Sequence, residues 1–454
     1  MSSLLSAYRA ALRRCAPVRL SGRVTRVTGL VVEADGPAMP VGGICRIQNA
    51  SGTESAAEVV GFQDGRTLLM PLEELRGIAP GARVTAHEDG PAVAVSTRLQ
   101  GRILDGLGNP LDSGPALGAS SRYPVYAPAV EALQRRPVRD IMDLGICAIN
   151  GLLTAGRGQR MGIFSGSGVG KSVLMGMIAR HAGADVNVVA LVGERGRELN
   201  EFIHRNLGEE GLRRSVVVVA TSDKPPLIRM RAAFTATAIA EFFRDQGANV
   251  LLMMDSLTRF AMARREIGLS AGEPPTAKGY TPSVFALLPQ LLERAGAGPD
   301  NGSGDITGLY TVLVEGDDMN EPVADAVRGI IDGHIVLSRS LAMRNHYPAI
   351  DVPASVSRVM KDLVPAGHGR LAGRFKEVLT DWRGAEDLIN IGAYVAGSNP
   401  AIDRAIRLRG PMNAYLRQDI PERVDFEAAA ARLAEIFASE PEEDRAALPA
   451  DPGI

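Results

Sequence analysis

Ser165-Gly166-Ser167-Gly168-Val169-Gly170-Lys171-Ser172 stands between the apolar run Met161-Gly162-Ile163-Phe164 and a segment in which Val173, Leu174, Met177 and Ile178 recur at helical spacing. That is strand, glycine loop, helix. Successive glycines let backbone N–H groups turn inward around phosphate oxygens, the helix start adds partial positive charge, and a lysine reaches the β/γ-phosphates. The pattern predicts a phosphate cradle built from Gly166, Ser167, Gly168, Val169, Gly170 and Lys171, with the Ser172 hydroxyl on Mg²⁺. The usual signature opens on glycine, where this chain has Ser165; the remaining glycines still cover the inner loop. A glycine-rich turn with a surface lysine is the bland alternative, and the flanking strand and helix disfavour it.

Around the loop, apolar runs at 161–164, 188–192, 216–220, 250–254, 309–314 and 334–337 alternate with helical patterns. Such alternation predicts an α/β domain with a mostly parallel sheet covered on both faces. Leu227, Met230, Phe234, Ala238 and Phe242 mark one covering helix, with Gly247 just past its end. Upstream, short β-branched runs cut by Gly, Pro and Asp predict a small all-β barrel or sandwich. The turn-rich stretch 101–112 and the Pro-, Ala- and Ser-rich stretch 110–137 read as a linker. Beyond Ala366 strand signals vanish, and Phe426, Ala430, Leu433 and Phe437 share a helical face. The expected organisation is an N-terminal amphipathic helix over 1–17, a β-barrel over 18–95, a P-loop domain over 96–365 and a helical domain over 366–454. The Pro-rich tail from Pro441 is expected to be disordered.

The bulk composition narrows the function classes. A chain of 454 residues holds roughly three domains. Lys+Arg 50 against Asp+Glu 52 gives a net charge of −2, so no global basic field argues for nucleic acid. Cys15, Cys45 and Cys147 are few, odd in number and far apart, which fits a reducing compartment and no disulfide framework. No apolar run approaches the ~18 residues of a membrane span. In the N-terminal segment Leu4, Leu5, Tyr8 and Leu12 share one helical face, with Arg9, Arg13 and Arg14 elsewhere. That helix suits a partner or acidic lipid, and equally a place on its own domain.

Two carboxylates complete the chemistry. Asp255 ends the run 250–254, where a P-loop enzyme needs an acid beside Mg²⁺. Residue 256 is Ser rather than Glu, so a carboxylate to orient the attacking water must be sought elsewhere. Glu194, in Gly193-Glu194-Arg195-Gly196-Arg197-Glu198, follows the run 188–192 at the carboxyl edge where open α/β sheets bind ligands. A loop glutamate paired with Arg195 or Arg197 is the competing reading.

These segments resemble the catalytic-subunit family of rotary ATPases, and specifically the type III export ATPases of flagella and injectisomes. The resemblance rests on Gly193-Glu-Arg-Gly-Arg-Glu198, Asp255-Ser-Leu-Thr-Arg-Phe-Ala-Met-Ala-Arg-Arg-Glu-Ile267, Gly272-Glu-Pro-Pro-Thr-Ala-Lys-Gly-Tyr280, Glu315-Gly-Asp-Asp-Met-Asn-Glu-Pro322 and Asp332-Gly-His-Ile-Val-Leu-Ser-Arg339, and it covers nearly the whole chain. It implies a RecA-like P-loop domain between a β-barrel and a helical domain. It further implies that Lys171 and Ser172 bind phosphate and Mg²⁺, that Glu194 positions water, and that Asp255 supports the metal. Arg195 and Arg259 match positions near the phosphates, Tyr347 an aromatic stacked on adenine, and Arg358 an arginine finger from a neighbouring subunit. The departures, Ser165 and an Asn150 where Asp is common, touch no catalytic role.

The resemblance implies an ATPase with ATP and Mg²⁺ in its site, assembled as a homo-hexamer. Its expected place is cytoplasmic and peripheral at the inner membrane, with export-gate, stator and stalk proteins, export substrates and chaperones as partners. The segments 69–84 and 325–330 look closer to flagellar versions, with the injectisome as the alternative. A non-catalytic nucleotide-binding ring subunit is a reading from another class, and Glu194 argues against it. A ring helicase is disfavoured by the near-neutral charge and the missing aromatic-basic stripe, so no nucleic acid is expected.

Overall fold

The computed structural model describes residues 20–438, apart from 74–75, 88–89 and 119–120. The helix expected over 1–17 and the tail from Pro441 lie outside the described residues.

Six short strands, β1 (Ser21–Thr28), β2 (Val31–Asp35), β3 (Ile44–Gln48), β4 (Glu54–Gln63), β5 (Arg66–Pro71) and β6 (Arg83–His87), close into a barrel in the order β1-β2-β5-β4-β3-β6. Closure follows from the pattern. Alternate residues Val24, Val32, Ala34, Cys45, Ile47, Ala57, Val59, Leu69 and Val84 point inward and fill it, while their neighbours face out. β7 (Ala92–Val95) leaves the barrel and pairs antiparallel with β9 (Ser121–Pro124).

The segment between them corrects the linker reading. Ile103–Asp105 forms β8, which pairs in parallel with β14 (Ser215–Ala220) at the edge of the central sheet. Asp105 then turns the chain, its Oδ1 accepting the N–H groups of Leu107 and Asn109 at 2.8 Å. The turn was visible in the sequence; a strand of three residues is too short to show a period of two.

After the two-residue pair β10 (Ile141–Met142) and β11 (Ala155–Gly156), the sheet is completed by β12 (Arg160–Ser165), β13 (Val186–Val192), β15 (Val250–Asp255), β16 (Ile306–Leu313), β17 (Gly333–Leu337) and β18 (Ile350–Ser357). Its order is β18-β17-β12-β16-β15-β13-β14-β8, parallel throughout except for β18. β18 was not read as a strand because it carries Pro353, and its edge position is where a sheet tolerates proline.

Alternation divides the core between the two faces. Val188, Ala190 and Val192 pack with the helices Pro226–Asp245, Leu257–Ser270 and Pro282–Leu292, and Val189 and Leu191 with the helix Lys171–His181. Helices Ala366–Asn390, Pro400–Leu416 and Phe426–Ala438 join that second face, adding Phe375, Leu408, Tyr415 and Leu433. No described helix is long and apolar enough to cross a membrane.

Candidate active site

The carboxyl ends of β12, β13 and β15 lie side by side with β16, and the loops leaving them carry the candidate residues. β12 ends at Ser165, and the loop turns through Gly168 (φ 77°) and Gly170 (φ 92°) before the helix Lys171–His181 begins. Both are left-handed conformations that an L side chain resists. Space adds a second demand at Gly170, where a Cβ would lie 3.3 Å from Cε1 of Tyr347. The aromatic expected at the base therefore rests against the phosphate loop, 42% exposed, and its carbonyl accepts the N–H of Gln418 at 3.1 Å.

Lys171 donates from Nζ to Oδ1 of Asp255, and Nζ lies 3.9 Å from Oε1 of Glu194. Asp255 is 3% exposed at the end of β15, and its Oδ1 also accepts the Thr311 hydroxyl at 2.6 Å. Glu194 leaves β13 with its side chain 12% exposed. Burial pushes its carboxyl up to about 7; the Asp255 charge and a hydrogen bond with Glu198 push the same way, while Lys171 and Arg259 oppose them. Arg259 sits in the first turn of the helix Leu257–Ser270, whose N-cap Ser256 accepts its N–H at 3.3 Å. Its stem lies against Gly193, where a Cβ would come within 2.9 Å, and its buried Nε has no hydrogen-bond partner.

Lys171, Glu194, Asp255, Arg259 and Tyr347 thus converge around the loop. Two expected residues do not join them. Arg195 points to solvent with its side chain 76% exposed and pairs with Glu198 at 3.6 Å. This also separates Glu194 from the loop-pair reading, since its cation neighbour is Lys171. Arg358 lies at the other end of the sheet. β18 pairs Ile350 with Leu337, beside Ser165, and Ser357 with Gly333, so its eight residues carry Arg358 roughly 25 Å from its own loop. There Arg358 is exposed, one N–H donating to the Arg328 carbonyl at 3.3 Å.

Sequence reading missed Glu198 and Thr311 as members of the site. Glu198 was hidden among the charges of its segment. Thr311 left one trace, a hydroxyl inside an otherwise apolar run.

A buried lysine–carboxylate pair at a glycine loop, with a second carboxyl of raised pKa beside it, defines a P-loop nucleotide-hydrolysing class. Sequence comparison places the chain within that class. Residues 145–357 match the ATP synthase alpha/beta family nucleotide-binding domain, 24–87 that family's β-barrel domain, and 364–435 the T3SS EscN ATPase C-terminal domain. The chain is 53% identical over 421 residues to the flagellum-specific ATP synthase of Bacillus subtilis, covering 92% of this chain and 95% of that one. It is 49% identical over 410 residues to the type 3 secretion system ATPase of Xanthomonas euvesicatoria, covering 90% and 92%. The solved structure of assembled EscN from enteropathogenic E. coli superposes with a TM-score of 0.86 at 44% identity, covering 91% of this chain and 99% of that one. The chain belongs to the family of flagellar and type III secretion export ATPases.

Proposed function

We propose that this ATPase works as a homo-oligomeric ring in the flagellar branch, and that each hydrolytic site is completed by Arg358 of the adjacent subunit. The observation that carries the reading is the Lys171–Asp255–Glu194 cluster at the end of the glycine loop. Lys171 exchanges its contact with Asp255 for the β/γ-phosphates, and Glu194 accepts a proton from, or orients, the attacking water. The oxygen donors offered by Ser172 and Asp255 suit Mg²⁺, a hard cation, which when bound neutralises charge on the phosphates. Tyr347 stacks on the base.

Arg358 supports a ring because its placement leaves it out of reach of its own loop. The structure of EscN with its central stalk EscO, 43% identical with a TM-score of 0.83, favours a stalk partner for this chain as well. Relatives named for the flagellum match at 53%, 52% and 51% identity, above the 49% and 47% of those named for secretion, although other flagellar relatives at 49%, 48% and 43% share the secretion range; the three higher identities favour export through the flagellar apparatus.

Glu194→Gln tests the site. The variant is expected to bind nucleotide as the parent does and to lose about 10²–10⁴ in turnover. An unchanged ATPase rate would remove the water-positioning role.

A further inference from the structure

β16 is the strand between the phosphate-loop strand β12 and the Asp255 strand β15. Its residues Ile306–Leu313 are buried, Leu313 alone partly, and Thr311 is 0% exposed. Valine would fill that place with the same branching and the same strand preference. The hydroxyl is what distinguishes threonine there, and burying one without a partner costs about 1–3 kcal/mol. Its partner is Oδ1 of Asp255, at 2.6 Å.

The contact has a chemical consequence. Both donors to the Asp255 carboxylate, Lys171 Nζ and Thr311 Oγ1, meet on Oδ1, and Oδ2 takes part in neither bond. Once Lys171 turns to the phosphates, Thr311 is the donor that still holds Oδ1. The terminal torsion of an aspartate is otherwise broad and roughly two-fold, whereas Mg²⁺ demands near-octahedral geometry. We infer that Thr311 is a positioning residue of the hydrolytic site: through Oδ1 it holds the Asp255 carboxylate in one orientation after Lys171 has left, leaving Oδ2 uncommitted and available to serve the metal. The inference rests on the reading of Asp255 as the metal-side carboxylate.

The test compares the full-length parent with Thr311→Val, Thr311→Ala, Thr311→Ser and Asp255→Asn. The Kd of a fluorescent ADP analogue is measured with Mg²⁺ and with EDTA, beside the Mg²⁺ concentration giving half-maximal turnover. Loss of a group that orients a metal ligand typically costs 10- to 100-fold in metal affinity, so the Val and Ala variants are expected to need about tenfold more Mg²⁺. Their EDTA Kd should match the parent, and Thr311→Ser should restore the Mg²⁺ dependence. If Asp255→Asn loses the Mg²⁺ effect while Val and Ala keep it in full, the role of Thr311 is overturned and the site reading stands. If Asp255→Asn itself keeps it, the site reading falls. Should Val misfold beside the carboxylate, the smaller Ala variant carries the same comparison.

Discussion

Glu194 approaches Lys171 to 3.9 Å and no closer, because the ammonium is already committed to Asp255. Two carboxyls thus share one cation in a buried site, and burial, helped by the Asp255 charge, raises the pKa of Glu194 against the opposing pull of Lys171. Glu194 is the group proposed to handle the water. Under the proposed roles, a phosphate entering the loop would draw Lys171 from Asp255 and alter the field at both acids together. Nucleotide binding and preparation of the water-side carboxylate would thereby be coupled through a single ammonium.

The first prediction is a pH dependence. In its proposed role Glu194 acts on water as the carboxylate, and with its pKa near 7 the acid form dominates at pH 6. The kcat/KM for ATP, which reports the free enzyme, should fall nearly tenfold per unit as pH drops below about 7. Stability runs the other way. Between the ordinary carboxyl value of 4.5 and about 7 the folded chain binds this proton and the unfolded chain does not, so the contribution of Glu194 to stability falls as pH rises through that window. Thermal melts without nucleotide should show Glu194→Gln stabilising the protein more at pH 8 than at pH 5.

The second prediction concerns the finger. Arg358→Ala should leave nucleotide affinity intact and reduce turnover by about 10³ or more. Complementation then separates neighbour from self. Arg358→Ala subunits keep a complete phosphate loop, and Lys171→Ala subunits keep the arginine, so mixing two inactive proteins should regain ATPase activity if the arginine acts across an interface. A mixture as inactive as its parts would overturn the action of Arg358 across an interface, and an Arg358→Ala variant with parental turnover would place it outside the reaction.

What the sequence made legible follows from what leaves a local trace. The phosphate loop, Asp255 at the end of an apolar run and Glu194 after another could be placed because each sits at a strand terminus that the hydrophobic pattern reveals. β8 and β18 could not, since one has three residues and the other is interrupted by Pro353. Thr311 and the pairing of Arg195 with Glu198 depend on contacts across strands or on which way a loop side chain turns. Arg358 illustrates both limits. Family resemblance supplied its expected role, but its distance from Lys171 within one chain came only with the antiparallel register of β18.

The third prediction tests the base-side wall. Tyr347 lies against Gly170, so the loop and the aromatic share one boundary. Removing a ring on which a base stacks costs about 1–3 kcal/mol, so Tyr347→Ala should weaken ATP binding roughly tenfold with kcat largely kept. Tyr347→Phe should restore it. Gly170→Ala should be the harsher change, because it strains a φ of 92° and crowds the ring. Equilibrium binding of a fluorescent nucleotide orders the three variants.

The last prediction concerns the scaffold. Arg294 follows the helix Pro282–Leu292 with its side chain 1% exposed, donating to both Glu241 oxygens at 2.8 and 2.6 Å and to the Val125 carbonyl. It thus ties the helix Pro226–Asp245, which covers the sheet, to the segment descending from the barrel. Two buried charges gain little over apolar residues of similar size, but one left alone is costly. Arg294→Met should therefore destabilise by about 3–5 kcal/mol, since it strands the Glu241 carboxylate. The double change Arg294→Met with Glu241→Leu removes the stranded charge and should recover most of that loss. Denaturation of the two single variants and the double variant measures the coupling. A double variant as unstable as the sum of the two singles would mean that the pair contributes nothing as a pair, and that the Val125 contact and side-chain packing carry the effect of Arg294 instead.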